Sequence, residues 1–205
     1  MFTGIVQGVA EVTSLEKKQQ LSTLGLALPE AQREGLQVGA SVAINGVCLT
    51  VTHWDEQQVF FDAMVQTLKI TNLGELEQGS QVNFERAARF SDEIGGHLMS
   101  GHVIDQVRLA QREELDENNL RLVFAVPAQW MKYVFPKGYI GLNGCSLTIA
   151  EVDEQGFSVY LIPETRRATT FGEMPEGTLV NLEIDPQTQV TVDTVERVLA
   201  QRGLA

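Results

Sequence analysis

The sequence predicts an all-β protein: two tandem, similar six-stranded antiparallel Greek-key barrels followed by a C-terminal α-helix. Three observations carry this. First, the chain repeats itself. Moving residues 29–85 forward by 98 positions gives 16 identities in 57 ungapped positions, including Pro29 on Pro127, Asn45-Gly46 on Asn143-Gly144 and Leu49-Thr50 on Leu147-Thr148. About four would arise between unrelated segments of ordinary composition. A unit of this length can bury its own core, so the repeat is a domain and not a turn of a solenoid. Second, each copy carries six short apolar runs separated by turn signals, the pattern of a closed or nearly closed barrel that hides its own strand edges. Third, beyond Pro186 the period changes to Val192, Val195, Val198 and Leu199 among charged residues, which is an amphipathic helix.

In chain order, Gly4 to Leu15 and Leu21 to Leu28 read as strands, and Pro29 opens a short helix that ends near Gly35. Gly39 marks a turn before a long strand from Ser41 to Trp54, the Asp55-Glu56-Gln57-Gln58 hairpin follows, and Val59 to Met64 returns antiparallel. Thr67 to Leu73 fits either helix or extended chain, and Gln81 to Ala87 closes the domain. The second copy follows the same plan. The paired glycines of Gly95-Gly96 fit a tight surface turn, so the domains are expected at 1–97 and 98–186, with 187–205 as an oligomerisation helix. The helix has too little apolar surface for a core of its own, and packing against copies of itself is the expected arrangement.

Composition sets outer bounds. The 205 residues carry a formal net charge of −12, with fifteen basic residues scattered along the chain, which disfavours nucleic acid as a partner. No apolar run approaches the ~20 residues of a membrane span. The start, Met1 to Gly8, lacks a basic leader region and reads as mature structure, so a cytoplasmic location is expected. Two cysteines at unmatched repeat positions form no disulfide framework, and both thiols are expected to be reduced.

The copies differ where chemistry would care. Cys48 faces Ser146 in the alignment, Gln66 faces Glu164, and His102 has Ile5 as its counterpart. A lone strand cysteine is often core, yet a position held by a thiol in one copy and a hydroxyl in the other suits a pocket wall. Cys145, matched to Val47, reads as core. The isoleucine opposite His102 predicts an inward side chain, either a satisfied interior histidine or a proton-transfer group. His97 and His102 lack a third ligand, so no metal is expected. Thr50 and Thr148 fit strand structure as readily as a site. Glu164, expected at a strand end, fits either a ligand contact or a solvated rim.

Taken together, Met1-Phe2-Thr3-Gly4-Ile5-Val6, Asn45-Gly46-Val47-Cys48-Leu49-Thr50-Val51, Thr71-Asn72-Leu73-Gly74, Gly96-His97-Leu98-Met99-Ser100-Gly101-His102-Val103 and Gly144-Cys145-Ser146-Leu147-Thr148 resemble the riboflavin synthase family in residues and in order. The resemblance covers essentially the whole chain. It implies two lumazine-binding barrels, a homotrimer, no external cofactor, and lumazine synthase as a candidate partner. The implied reaction is a dismutation in which two molecules of 6,7-dimethyl-8-ribityllumazine exchange a four-carbon unit, giving riboflavin and a 5-amino-6-ribitylaminopyrimidinedione. A duplicated fold suits a reaction between identical molecules, since like barrels bind like rings and unlike residues assign the roles.

Carried over residue by residue, the resemblance implies that Gly4, Ile5, Val6, Cys48, Leu49, Thr50, Asp62, Ala63, Met64, Val65, Gln66 and Thr67 bind substrate in the first barrel. In the second it implies Gly101, His102, Val103, Lys137, Ser146, Leu147, Thr148, Tyr160, Leu161, Ile162, Pro163, Glu164 and Thr165. Cys48 is the candidate for nucleophilic or positional help, with His102, Ser146 and Thr148 as hydrogen-bonding or proton-relay groups. Gln66 stands where the family commonly has glutamate. A non-catalytic lumazine or flavin carrier shares the two barrels, but the Ser146-Leu147-Thr148 and Gly101-His102 pattern argues against it. A purely structural tandem barrel leaves the polar pocket positions without a purpose.

Overall fold

The computed structural model describes residues 1–204. The first copy contains β1 (Gly8–Lys17), β2 (Leu21–Ala27), α1 (Glu30–Arg33), β3 (Ser41–Ile44), β4 (Val47–Trp54), β5 (Val59–Met64), α2 (Val65–Ile70) and β6 (Gln81–Arg86). Its six strands close into a barrel in the order β1-β2-β5-β4-β3-β6. The second copy contains β7 (Asp105–Glu114), β8 (Leu120–Ala125), β9 (Tyr139–Leu142), β10 (Cys145–Thr148), β11 (Gly156–Leu161), α3 (Pro163–Ala168) and β12 (Leu179–Ile184), followed by α4 (Pro186–Gln201). The order β10-β9-β12-β7-β8-β11 is the same circle cut between β10 and β11. The cut arises because β10 stops at Thr148, whereas its counterpart β4 continues to Trp54. Two backbone bonds bridge the gap further on, from Ala150 N–H to Ser158 O and from Ser158 N–H to Glu151 O, both 2.9 Å.

The expected long strand from Ser41 to Trp54 is broken. Asn45 (φ 44°) and Gly46 (φ 79°) both take left-handed backbone, and β3 and β4 pair across them from Ile44↔Val47 to Ser41↔Thr50. Asn-Gly is the preferred pair for a two-residue hairpin turn with positive φ at both positions. Asn143 (φ 43°) and Gly144 (φ 79°) repeat the turn between β9 and β10. The ambiguous stretch after Met64 is helical, with α2 followed by a 3-10 turn at Asn72–Glu75.

The two turns are also where the barrels meet. A Cβ on Gly46 would lie 2.6 Å from Gly144 N, and one on Gly144 would lie 2.8 Å from Gly46 N, so only glycine permits the approach. Around this contact the asparagines are exchanged symmetrically. Asn83 Nδ2 donates to Asn143 O (3.0 Å), and Asn181 Nδ2 donates to Asn45 O (2.8 Å). Asn72 N–H donates to Asn181 Oδ1 (2.7 Å), and Thr170 N–H donates to Asn83 Oδ1 (2.8 Å). Each buried amide finds the partner that burial demands.

Each barrel encloses its own apolar core, built on Leu24, Leu26, Val59, Phe61 and Phe84 in the first and on Leu120, Leu122, Phe124, Val159 and Leu182 in the second. The segments ahead of β1 and β7 cross over. Val6 packs into the core of the second barrel and Val103 into that of the first. In α4, Val192 packs on the second barrel, while Val190 and Val195 remain more than half exposed. Among the described residues, no helix is long and apolar enough to cross a membrane.

Candidate active site

Alternation along the strands sorts the site residues before any ligand is considered. On β4, Val47, Leu49 and Val51 point into the barrel, which turns Cys48 and Thr50 outward; on β5, Phe61 and Ala63 point in, and Asp62 and Met64 out. On β10 and β11, Leu147 and Leu161 are core, while Ser146, Thr148 and Tyr160 stand on the outer face, with Ile162 exposed just beyond β11. The candidate groove of each copy therefore lies on the outside of its barrel, between paired strands. Leu49, Ala63, Leu147 and Leu161 can offer a ligand only backbone.

Two buried carboxylates fix the third wall. Glu85 accepts from Thr3 N–H (2.6 Å), Thr3 Oγ1 (2.8 Å) and Gly4 N–H (3.0 Å). Glu183 accepts from Ser100 N–H (2.7 Å), Ser100 Oγ (2.8 Å) and Gly101 N–H (3.1 Å). Burial pushes both acids above the usual carboxylate range, and these donors pull the other way. The far side of each segment is held by the other barrel. Ser146 N–H donates to Gly4 O (2.8 Å), and Cys48 N–H donates to Gly101 O (3.0 Å). A Cβ on Gly4 would meet Ser146 Cβ at 2.4 Å, and one on Gly101 would meet Cys48 Cβ at 2.6 Å.

The grouping by barrel is thereby corrected. Gly4 to Val6, expected with Cys48, stands beside Ser146; Gly101 to Val103, expected with Ser146, stands beside Cys48. The physical reason is that each segment is bonded on one edge by β6 or β12 of its own copy and on the other by the facing barrel. His102 is corrected as well. Its side chain is exposed, as is Ile5 (48%), because only Gly101 and Val103 of the alternating trio face protein. Glu164 lies in the first turn of α3 and pairs with Arg167 at 2.6 Å, both exposed, so it is a helix residue and not a strand end. Gln66 and Thr67 lie in α2, Pro163 and Thr165 in α3, and Lys137 is exposed on a left-handed turn (φ 70°) before β9.

A residue passed over in the sequence proves central to the second groove. His97 is buried (6% exposed), with Nδ1 2.6 Å from Ser146 Oγ, and its ring stacks on Tyr139 at 5.2 Å. Nε2 is buried without a protein partner. Burial depresses its pKa, partly offset by the charge of Asp185, and so favours the neutral imidazole. The glycine pair before it is less a tight turn than a close approach: a Cβ on Gly96 would lie 2.3 Å from Thr3 O and 2.6 Å from Ser146 Cβ. Among the described residues, no histidine is hydrogen-bonded to the Cys48 thiol. Cys145 lies in the core, its thiol pushed up to about 12 chiefly by burial, and both cysteines are free.

The chain is two copies of one barrel, each with polar outer-face positions beside a glycine segment from the interface, and the lumazine binding domain family matches residues 3–87 and 100–185. The chain is 54% identical over 203 residues to riboflavin synthase of Escherichia coli strain K12, covering 98% of this chain and 95% of that one. It is 43% identical to riboflavin synthase of Chlamydia pneumoniae, covering 99% of each. Among solved structures, LumP complexed with 6,7-dimethyl-8-(1'-D-ribityl) lumazine superposes with a TM-score of 0.82 at 26% identity, and LumP complexed with riboflavin at 0.84 and 27%, each covering 90% of this chain and 99% of the other. The chain belongs to the riboflavin synthase family.

Proposed function

We infer that the chain is a riboflavin synthase, converting two molecules of 6,7-dimethyl-8-ribityllumazine into riboflavin and 5-amino-6-ribitylaminopyrimidinedione. Full-length similarity to riboflavin synthases at 54% identity carries this reading. The two unlike grooves give it a chemical shape. Riboflavin needs one lumazine to lose methyl protons and bond through its methyl carbons, accepting four carbons, and a second to be attacked at its ring carbons and give up that four-carbon unit with both methyl groups intact. In the second groove the neutral His97 shares a hydrogen bond with Ser146, and in the tautomer with Nδ1 unprotonated the ring accepts the Oγ–H, which makes that oxygen a route for the substrate proton. In the first groove the Cys48 thiol is the nucleophilic or positioning group, with His102 exposed on the rim to exchange a proton with the ligand. Thr50, Thr148, Asp62, Lys137 and Tyr160 are polar groups available to the ribityl hydroxyls. Holding two rings in register supplies a large part of the acceleration without further chemistry.

Exposed apolar side chains stand near each candidate site, Met64 and Ile70 at the first and Ile5 and Ile162 at the second. We propose that these meet across subunits of a cytoplasmic homotrimer organised by α4, with lumazine synthase as the partner that supplies the substrate. The structural likeness to LumP keeps a second reading in view, binding without turnover. Incubating the pure protein with the lumazine alone separates the two: an enzyme produces riboflavin and the pyrimidinedione in equal amounts, whereas a carrier returns the lumazine unchanged.

A further inference from the structure

The last strand of the second barrel leads directly into α4, with the half-buried Asp185 at the junction. Across β9 and β12, Ile140 pairs with Ile184, which sets Asp185 next to Tyr139 in register; across β9 and β10, Tyr139 pairs with Thr148 and Gly141 with Ser146. Tyr139 in turn stacks on His97 (interplanar angle 16°), and His97 touches Ser146. Asp185 is simultaneously the N-cap of α4, accepting from Thr188 N–H (2.9 Å) and Thr188 Oγ1 (2.7 Å). The helix it caps is fastened to the barrel by Val192 and by contacts of Tyr133 with Asp193 and Lys132 with Glu196. The titratable groups around His97 are Tyr139 from β9, Glu183 from β12, Asp185 at the start of α4 and, beyond Thr3 and Gly4, Glu85 from β6; of these, Asp185 is the one whose charge acts on the imidazole.

We propose that Asp185 is a positioning residue for the second groove: the carboxylate that caps the C-terminal helix also keeps the buried His97 able to accept a proton beside Ser146, so docking the helix and readying the groove are one event. This rests on the reading of Ser146 and His97 as a proton route. Helix packing by itself would need only a capping oxygen, which asparagine and serine supply equally well. The charge is what the cap does not require.

The test is Asp185→Asn in the full chain, with Asp185→Ser as a second capping variant and Asp193→Asn as a charge-removing control on the same helix. The titration of His97 is followed by NMR, its signal assigned by loss in His97→Gln. Asp185→Asn and Asp185→Ser should leave Tm within a few degrees but make His97 titrate roughly 0.5 pH unit or more lower, and the acid limb of kcat/KM should move down by the same interval. Asp193→Asn should move neither. An unmoved His97 titration in both Asp185 variants overturns the proposal. A moved titration with an unmoved acid limb overturns the catalytic part of it while leaving lumazine turnover, measured directly, as the separate test of the enzyme reading.

Discussion

The backbone of Ser146 is bonded to the backbone of Gly4, amide to carbonyl at 2.8 Å, although one belongs to the second barrel and the other to the start of the chain. Together with its mirror, Cys48 to Gly101 at 3.0 Å, this bond makes each groove a joint product of both repeats. Neither barrel by itself supplies all the residues around its candidate groove.

Cys48 stands half-buried on the outer face of β4, away from the core. Cys48→Ala should lower kcat tenfold or more while changing unfolding free energy by less than about 1 kcal/mol, the usual scale for a side chain outside the core. Steady-state kinetics alongside denaturant unfolding measures both, and unchanged turnover would remove Cys48 from the mechanism.

Gly46 combines φ 79° with a 2.6 Å approach to Gly144. Gly46→Ala should cost about 1–3 kcal/mol from backbone strain alone, and more if the barrels must part. Gly46 contributes no side chain to either groove, so the fraction that folds with the barrels still joined should keep its KM. A variant as stable as the parent would show that the turn contact is dispensable.

His97 titrates below its ordinary value of 6.5 in the folded chain. A depressed histidine contributes stability that is present above the unfolded pKa and lost as pH falls through the folded one. The Tm advantage of the parent over His97→Gln should therefore shrink between about pH 7 and pH 5. Thermal scans across that interval check the sign; an advantage that grows on acidification would contradict a neutral buried imidazole.

Removing the residues after Pro186 exposes the surface covered by Val192 and takes away the exposed Val195, Val198 and Leu199. The truncated chain should scatter light as a monomer where the full chain is expected to scatter as the proposed trimer, and its riboflavin synthesis should collapse with the assembly. A trimer that survives truncation would place the oligomer contacts on the barrels instead.

If grooves on neighbouring subunits face each other, a Cys48→Ala chain and a chain altered at both Ser146 and Thr148 should each be poor alone. Mixed trimers would then contain some contacts between two undamaged grooves, and activity should exceed that of either parent. Verified subunit exchange with no gain would mean that both rings are held by one chain.

Much of this protein is decided locally and is legible in its sequence. The repeat, the strand-turn rhythm, the Asp55 to Gln58 hairpin and the helix after Pro186 follow from side-chain period and turn chemistry, which act over a few residues. The sequence also isolates Cys48 and Ser146 as matched pocket-wall positions, while the structure puts them on the outer faces of their barrels. What only the tertiary structure decided is who stands beside whom. His97 looks like one more residue after a glycine turn until Gly96 is seen pressed against Thr3 and Ser146. The exchange of Gly4 and Gly101 between grooves, and the exposure of His102, depend on contacts between segments far apart in the chain, such as Gly4 with Ser146 and Gly101 with Cys48. Such contacts leave no periodic trace, since hydrogen bonds donated to Glu85 and Glu183 constrain position in space and not spacing along the chain.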